Sequence, residues 1–224
     1  MEALTPSQLT GQSRDHVIQK EGYALQADCL KAFESLQEAG REEGLEIQIF
    51  SSFRDFKSQC RIWNLKWKGE RTLYDPQGQP LDYQSLSETE RMKAILHWSA
   101  LPGTSRHHWG TEIDLYDAKG LSAGQKVELL PYEYAAGGPF AKLNQWMDLH
   151  LEEFGFFRPY AQDQGGVQPE PWHISYRSIS QLALQSLSKD ILLNALAPAD
   201  LGGKEIILEK LDWILDQYVF NISH

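Results

Sequence analysis

The sequence has few basic residues and no long apolar run. Of its 224 residues, 21 are Lys or Arg and 31 are Asp or Glu, which gives a formal net charge of -10. Nucleic-acid binding needs Lys and Arg to displace counterions, and a chain this acidic is poorly suited to it. The chain is equally poorly suited to binding anionic lipid or an anionic cell wall. A membrane span needs roughly 18 consecutive apolar residues, which the sequence lacks. We therefore expect neither nucleic acid nor a membrane as a partner.

Cysteine is scarce, with Cys29 and Cys60 as the two thiols. Neither belongs to a CxxC pair, and two thiols cannot build a disulfide framework, so both are interpreted as small buried apolar groups. The first twenty residues have no basic start and no apolar stretch, which argues against a secretory signal. If Met1 is the natural start, we expect a cytoplasmic protein.

The composition is that of a folded protein, with 42% hydrophobic and 23% charged residues. A chain of this length and apolar content can bury one large core, so we predict a single domain over residues 1–224.

Hydrophobic periodicity predicts helices that alternate with a few separated strands. The predicted helices lie at 22–40, in the second part of 51–69, at 88–99, at 140–154 and, as a pair, within 178–220; the predicted strands are 45–50, 111–117 and 172–176. Segments 70–90 and 118–138 read as loops rich in turns. This mixture predicts the α+β class.

The segment TSRHHWGTEIDLYD, residues 104–117, concentrates two histidines and three carboxylates in fourteen positions. His107 and Asp114 are seven residues apart, and one helix would separate them by two turns. The glycine between them and the alternation that follows favour a loop leading into a strand, so both side chains could point at one ion. His108 is an alternative ligand, although its side chain would point the other way in an extended segment. Asp117 is an alternative to Asp114.

A second polar fragment, PEPWHISY at residues 169–176, contains Glu170 and His173. If the two predicted strands pair, His173 lies beside His107 and Asp114. Two imidazole nitrogens and one carboxylate oxygen are a suitable ligand set for one Zn²⁺, with a fourth position open for water, as in catalytic sites. A carboxylate beside that water can accept its proton and pass it to a leaving amine, which is the role predicted for Glu170.

Together these fragments resemble the signatures of one enzyme family. SRHHWGTEID, residues 105–114, resembles the SxHxxGxxxD signature of the D-alanyl-D-alanine metallocarboxypeptidases, the VanY-like family, and EPWH resembles that family's ExWH or ExxH signature. SSFRDFKSQ, residues 51–59, resembles its SGYRS segment. The resemblance extends over residues 25–176 or so, and it leaves 178–224 as a helical extension of the catalytic core. It implies a small, mainly antiparallel sheet flanked by helices, as in hedgehog and the D-Ala-D-Ala metallopeptidases.

The resemblance also implies roles for individual residues. It implies zinc on His107, Asp114 and His173, with Glu170 as the catalytic base. It implies that Arg54 polarises the substrate carbonyl or holds the charged substrate, and a permanent cation with fixed donors suits either task.

Gln59 and Ser105 match family positions that contact the terminal peptide of the substrate. The chain departs from the family pattern at Phe53, where Tyr is usual, and at Glu112, where a small apolar residue is frequent. These departures affect the expected specificity and leave the expected chemistry unchanged.

The expected function is zinc-dependent removal of a C-terminal D-Ala from peptidoglycan stem peptides. A cytoplasmic enzyme meets recycled muropeptides mostly as tetrapeptides, so L,D-carboxypeptidase activity is favoured. The alternatives are a D,D-carboxypeptidase or dipeptidase, a phage-type endolysin that cuts between L-Ala and D-Glu, and a zinc-stabilised binding protein similar to the hedgehog signalling domain. The helical C-terminal segment does not resemble a wall-binding module, and Glu170 and Arg54 argue against a protein without turnover.

Overall fold

The computed structural model describes residues 3–223, and its largest sheet has four antiparallel strands. The strands are β1 (Ile18–Lys20), β2 (Tyr23–Leu25), β3 (Ile47–Ser51), β4 (Leu73–Tyr74), β5 (Pro80–Leu81), β6 (Glu112–Asp117), β7 (Phe156–Phe157) and β8 (His173–Tyr176). The α-helices are α1 (Pro6–Leu9), α2 (Ala27–Glu42), α3 (Phe56–Trp67), α4 (Glu88–Leu96), α5 (Pro131–Tyr134), α6 (Ala141–His150), α7 (Arg177–Ser186), α8 (Lys189–Leu196), α9 (Lys204–Glu209) and α10 (Leu211–Ile214). Met1, on which the cytoplasmic expectation depends, lies outside the described residues.

The strand order of the largest sheet is β3-β6-β8-β7, and two separate hairpins are formed by β1-β2 and β4-β5. Within the β6–β8 ladder Asp114 is paired with His173, and within the β3–β6 ladder it is paired with Ser51 after an irregularity in register. The three predicted strands are therefore present and adjacent. The small, mainly antiparallel sheet of the predicted α+β fold is confirmed.

Two apolar clusters pack against this framework. One combines β6 and β8 with α2 and α6, and its fully buried members include Phe33, Ile113 and Ile174. The other combines α3 and α4 with the C-terminal helices and buries Trp63 together with Ile207. The C-terminal helices thus share a core with α3, the helix that follows the Arg54 segment.

A close approach of backbone to side chain joins the C-terminal region to α3. Gly202 and Gly203 lie against the indole of Trp67, where a Cβ atom on either glycine would fall about 2.1–2.2 Å from a ring atom. The carbonyl oxygen of Gly202 also accepts a hydrogen bond of 3.0 Å from the Trp63 indole. The segment that contains Gly202 and Gly203 is therefore packed against α3.

Several predicted boundaries are wrong for identifiable reasons. The first long helix begins at Ala27 instead of residue 22, because Tyr23–Leu25 pairs with Ile18–Lys20 in a hairpin. The Gln26 side chain accepts hydrogen bonds from the first backbone N–H groups of α2 and so caps the helix there. The helix predicted over 140–154 changes at Leu151 into a 3₁₀ turn that ends at Gly155.

The C-terminal segment also differs from its prediction. Instead of two helices it contains α7 to α10 and a π-helical turn at Leu215–Val219. Ser188 caps α8 through its side chain, and Gly203 precedes α9 with a φ of 71°, so local capping groups start new helices. Between residues 3 and 223, none of the helices combines the length and apolarity that a membrane crossing requires.

Candidate metal centre

His107, Asp114 and His173 lie together, with one potential ligand atom of each within 4.8 Å of the others. Nε2 of His107 is 3.4 Å from Oδ2 of Asp114, and Nδ1 of His173 is 2.9 Å from Oδ1 of the same carboxylate. All three side chains are buried. The structure thus brings together the three residues that the sequence selected as zinc ligands.

The backbone places these side chains by a turn and a strand register. His107 lies on the 3₁₀ turn Arg106–Trp109, which ends at Gly110 with a φ of 68°. A Cβ atom on Gly110 would lie 2.3 Å from Cγ1 of Val17, so the chain needs glycine to turn here into β6. Asp114 then follows on β6, directly opposite His173 on β8.

The hydrogen bonds of the two histidines define which nitrogen faces the cluster. Nδ1 of His107 donates to the carbonyl oxygen of Ser52 at 2.8 Å, which leaves the Nε2 lone pair directed at Asp114. In His173 it is Nδ1, not Nε2, that faces Asp114, and Nε2 lies 3.0 Å from Oε2 of Glu112. Two imidazole nitrogens and a carboxylate oxygen that converge in this way fit the ligand set of Zn²⁺.

Glu112 is a component of the site that was not predicted from the sequence. It was treated as a position that affects specificity, yet the side chain is fully buried and contacts His173. Its Oε1 atom accepts hydrogen bonds from Arg106, Ser175 and Thr111. The period of two along a strand puts Glu112 on the same face as Asp114, and that pattern could have identified it.

Glu170 lies at the edge of the cluster, with Oε2 3.6 Å from Nδ1 of His173. Burial raises the pKa of Glu170 to about 7, and Asp114 adds to this rise, while His173 and Arg54 oppose it. A carboxyl group with a pKa near neutrality can both accept and release a proton at physiological pH.

Arg54 is held by two side chains as it reaches the site. Its Nη1 donates to Gln59 at 3.0 Å and its Nη2 to Ser51 at 3.0 Å. The amide nitrogen of Gln59 donates in turn to the carbonyl oxygen of Ala100 at 2.7 Å, so both ends of this fully buried amide are engaged. The structure therefore places Gln59 behind Arg54, whereas Ser105 lines the cavity in front of the cluster.

The alternative ligands lie elsewhere. Nδ1 of His108 donates to the carbonyl oxygen of Arg54 at 2.6 Å, and its Nε2 accepts from the backbone N–H of Gly103. Oδ1 of Asp117 accepts from the backbone N–H groups of Glu46 and Lys119. Both side chains thus form hydrogen bonds with the backbone around the site and lie outside the His/Asp/His cluster.

A cavity of about 360 Å³ opens onto the cluster, and its wall also carries Arg54, Ser105 and Glu170. Lys66 and Arg71 contribute two further cations, for which residues 3–223 provide no hydrogen-bonding or ion-pair partner. Burial lowers the pKa of Lys66 to about 8, with Glu170 opposing this shift. Neither cation was among the site residues predicted from the sequence.

The sheet, with Asp114 and His173 on two adjacent strands and His107 on the turn before them, has the architecture of the D-Ala-D-Ala metallopeptidases. A family model described as VanY, D-alanyl-D-alanine carboxypeptidase, matches residues 22–179 of this chain. The chain belongs to this family, as the three motifs predicted.

Individual relatives are similar over different shares of their length. The chain is 37% identical to an uncharacterized protein of Haemophilus influenzae over 121 residues, which cover 53% of this chain and 92% of that protein. It is 29% identical to a D-alanyl-D-alanine carboxypeptidase of Enterococcus faecalis over 150 residues, which cover 65% of this chain and 46% of that protein.

Solved structures share the fold. VanYB in complex with D-alanine-D-alanine has a TM-score of 0.54 and 21% identity, with 82% of this chain and 90% of that chain covered. The LD-carboxypeptidase LdcB has a TM-score of 0.50 and 16% identity, with coverage of 78% and 72%. At these identities the likeness establishes the fold alone, and it confirms the expected architecture.

Proposed function

We propose that this chain is a zinc-dependent carboxypeptidase that removes a C-terminal D-Ala from peptidoglycan stem peptides. The observation that carries the proposal is the convergence of His107, Asp114 and His173 in a cavity that also contains Glu170. Membership of a D-alanyl-D-alanine carboxypeptidase family supports the same reaction.

A zinc ion would be held by Nε2 of His107, a carboxylate oxygen of Asp114 and Nδ1 of His173. When bound there, zinc polarises the scissile carbonyl and lowers the pKa of a water molecule. Glu170 accepts the proton of the attacking water and later delivers it to the leaving amine of D-Ala. Its pKa of about 7 suits both transfers.

Arg54 stabilises the negative charge that develops on the attacked carbonyl oxygen. Gln59 and Ser51 hold its guanidinium from the side away from the substrate, so little reorganisation is needed during the reaction. This assignment gives Gln59 an indirect role through Arg54. Ser105, on the cavity wall, remains the proposed contact for the terminal peptide.

The charges of the cavity suit a small anionic peptide. Lys66 and Arg71 line its wall and are available to a substrate carboxylate. The net charge of the whole chain is -10, which favours soluble fragments over the intact anionic wall. We therefore propose soluble muropeptides as substrates.

The favoured reaction is cleavage of the L,D bond of a tetrapeptide in the cytoplasm. This choice rests on the supply of substrate, since recycled muropeptides reach the cytoplasm mainly as tetrapeptides. The relatives include both types of substrate: VanYB is bound to D-alanine-D-alanine, and LdcB is an LD-carboxypeptidase.

Incubation with defined tri-, tetra- and pentapeptide muropeptides, followed by mass spectrometry, tests the proposal. The expected result is free D-Ala, released faster from the tetrapeptide than from the pentapeptide. Faster release from the pentapeptide would reverse the bond preference and keep the zinc carboxypeptidase. Cleavage between L-Ala and D-Glu would indicate an endolysin, and zinc binding without turnover would indicate a binding protein. Fractionation of the producing cells tests the location.

A further inference from the structure

We infer that Glu112 is a positioning residue that orients the proposed zinc ligand His173 through a hydrogen bond to Nε2. The inference rests on the proposed metal centre and concerns Nε2 of His173, the ring nitrogen that faces away from the metal.

The geometry of the His173 ring carries the inference. Its two nitrogens face two different carboxylates, with Nδ1 2.9 Å from Oδ1 of Asp114 and Nε2 3.0 Å from Oε2 of Glu112. A neutral imidazole carries one N–H group, and an ionised carboxylate can only accept. When Nδ1 gives its lone pair to the metal, the single hydrogen of the neutral ring is on Nε2, where Oε2 of Glu112 accepts it.

Glu112 is itself held by donors on its other oxygen. Oε1 accepts from the Ser175 hydroxyl at 2.7 Å, from the Thr111 hydroxyl at 3.0 Å and from Nη2 of Arg106 at 3.3 Å. The Arg106 side chain is buried too, with only 3% exposed, and pairs its charge with Glu112. Three donors on one oxygen leave the other oxygen to His173.

Aromatic rings restrict Arg106 as well. Its guanidinium carbon lies 4.8 Å from the ring centre of Trp109 and 5.8 Å from that of Phe157. An unpaired charge at either Arg106 or Glu112 would be costly in this buried location, so the two residues act as a unit. The network extends from these rings to Nε2 of His173.

This arrangement makes the substitution Glu112→Gln unusually informative. The three donors around Oε1 require an acceptor, so the carbonyl oxygen of the new amide takes that position. Its NH₂ group then faces Nε2 of His173, which must accept and therefore carries its hydrogen on Nδ1, towards the metal. The variant thus keeps the shape of Glu112 and favours the wrong tautomer of His173.

The experiment is a zinc titration against a competing chelator on the full chain. Glu112→Gln should raise the zinc Kd by about 10- to 100-fold, the usual effect of removing a hydrogen-bond partner of a ligating histidine. Asp117→Asn is the matched control, because Asp117 is a buried carboxylate on the same strand whose Oδ1 contacts an amide could retain. Its zinc Kd should equal that of the parent.

A double variant, Arg106→Met with Glu112→Ala, provides a second test in case Glu112→Gln does not fold. It removes both buried charges and leaves Nε2 of His173 free, so its zinc Kd should lie between those of the parent and Glu112→Gln. In ¹⁵N-histidine NMR spectra of the zinc-loaded parent, His173 should carry its hydrogen on Nε2.

The outcomes separate the inference from the proposed function. A Glu112→Gln variant that melts at a lower temperature but keeps the parental zinc Kd would show a structural role alone and overturn the inference. The same holds if the double variant binds zinc more weakly than Glu112→Gln. A parent chain that binds no zinc would overturn the proposed metal centre and this inference together, whereas zinc binding without D-Ala release would overturn the proposed reaction alone.

Discussion

Asp114 and His173 occupy directly opposed positions on β6 and β8, and their side chains approach to 2.9 Å between Oδ1 and Nδ1. Paired positions on adjacent antiparallel strands project their side chains on the same face of the sheet. The register of one strand pair therefore places two of the three proposed zinc ligands, and the 3₁₀ turn before β6 supplies the third, His107.

Zinc should stabilise the folded chain, because the three ligands converge only in the native state. We expect added Zn²⁺ to raise the melting temperature of the parent and to leave that of Asp114→Ala nearly unchanged. Asp163→Asn, in an exposed loop, is the control and should respond as the parent does. Differential scanning calorimetry with and without zinc provides the measurement, and an equal response of Asp114→Ala would argue against Asp114 as a ligand.

Glu170→Gln should retain zinc and lose activity. The amide keeps the shape of the side chain but cannot accept the proton, so kcat should fall by roughly two to four orders of magnitude, the usual contribution of general acid–base catalysis. Glu128→Gln is the matched control, since Glu128 lines the same cavity and hydrogen-bonds to Tyr132 at 2.6 Å. D-Ala release at the parental rate by a zinc-loaded Glu170→Gln variant would reject the assigned role.

The pH dependence of kcat/KM should have an acidic limb that depends on Glu170. Burial raises the pKa of Glu170 to about 7, and the positive charge of a nearby zinc ion opposes this rise. Only the ionised carboxylate accepts a proton, so kcat/KM should fall as the pH decreases through the region at or below 7. A profile that stays flat down to pH 4 would contradict a base with a raised pKa.

Arg54→Lys should be nearly as inactive as Arg54→Ala. Lysine keeps the charge but loses the planar fork that Gln59 and Ser51 hold. We expect kcat/KM to drop by roughly a hundredfold or more for both variants, which corresponds to about 3 kcal/mol of transition-state stabilisation. Arg61→Ala, an exposed position on α3, should behave as the parent. Full rescue by lysine would show that charge alone suffices.

Lys66→Met should weaken substrate binding more than it slows the reaction. The ammonium group lines the cavity and is not a member of the His/Asp/His cluster, so we expect KM to rise by roughly tenfold, as for the loss of a hydrogen bond to a charged group, with kcat nearly unchanged. Lys68→Met, an exposed position just after α3, serves as the control. Steady-state kinetics on a tetrapeptide separate the two constants, and an unchanged KM would exclude a contact with substrate.

Local patterns in the sequence determined the residue types of the site and the elements that carry them. The motifs around His107 and Glu170 identified the family, and period-two alternation predicted β3 and β6. These features were predictable because they are local. The alternation of side chains along a strand involves only adjacent residues, and the ability of a side chain to bind zinc depends on its residue type.

Tertiary structure decided the contacts that join distant segments. The Glu112–His173 contact spans 61 positions and depends on the β6–β8 register, while the placement of Gln59 behind Arg54 depends on a bond to Ala100. The sequence pattern could not show that Lys66 faces the cavity, because helical spacing shows which residues share a face of α3 but not which part of the protein lies against that face. Such contacts depend on non-local packing, which decides what surrounds each buried charge.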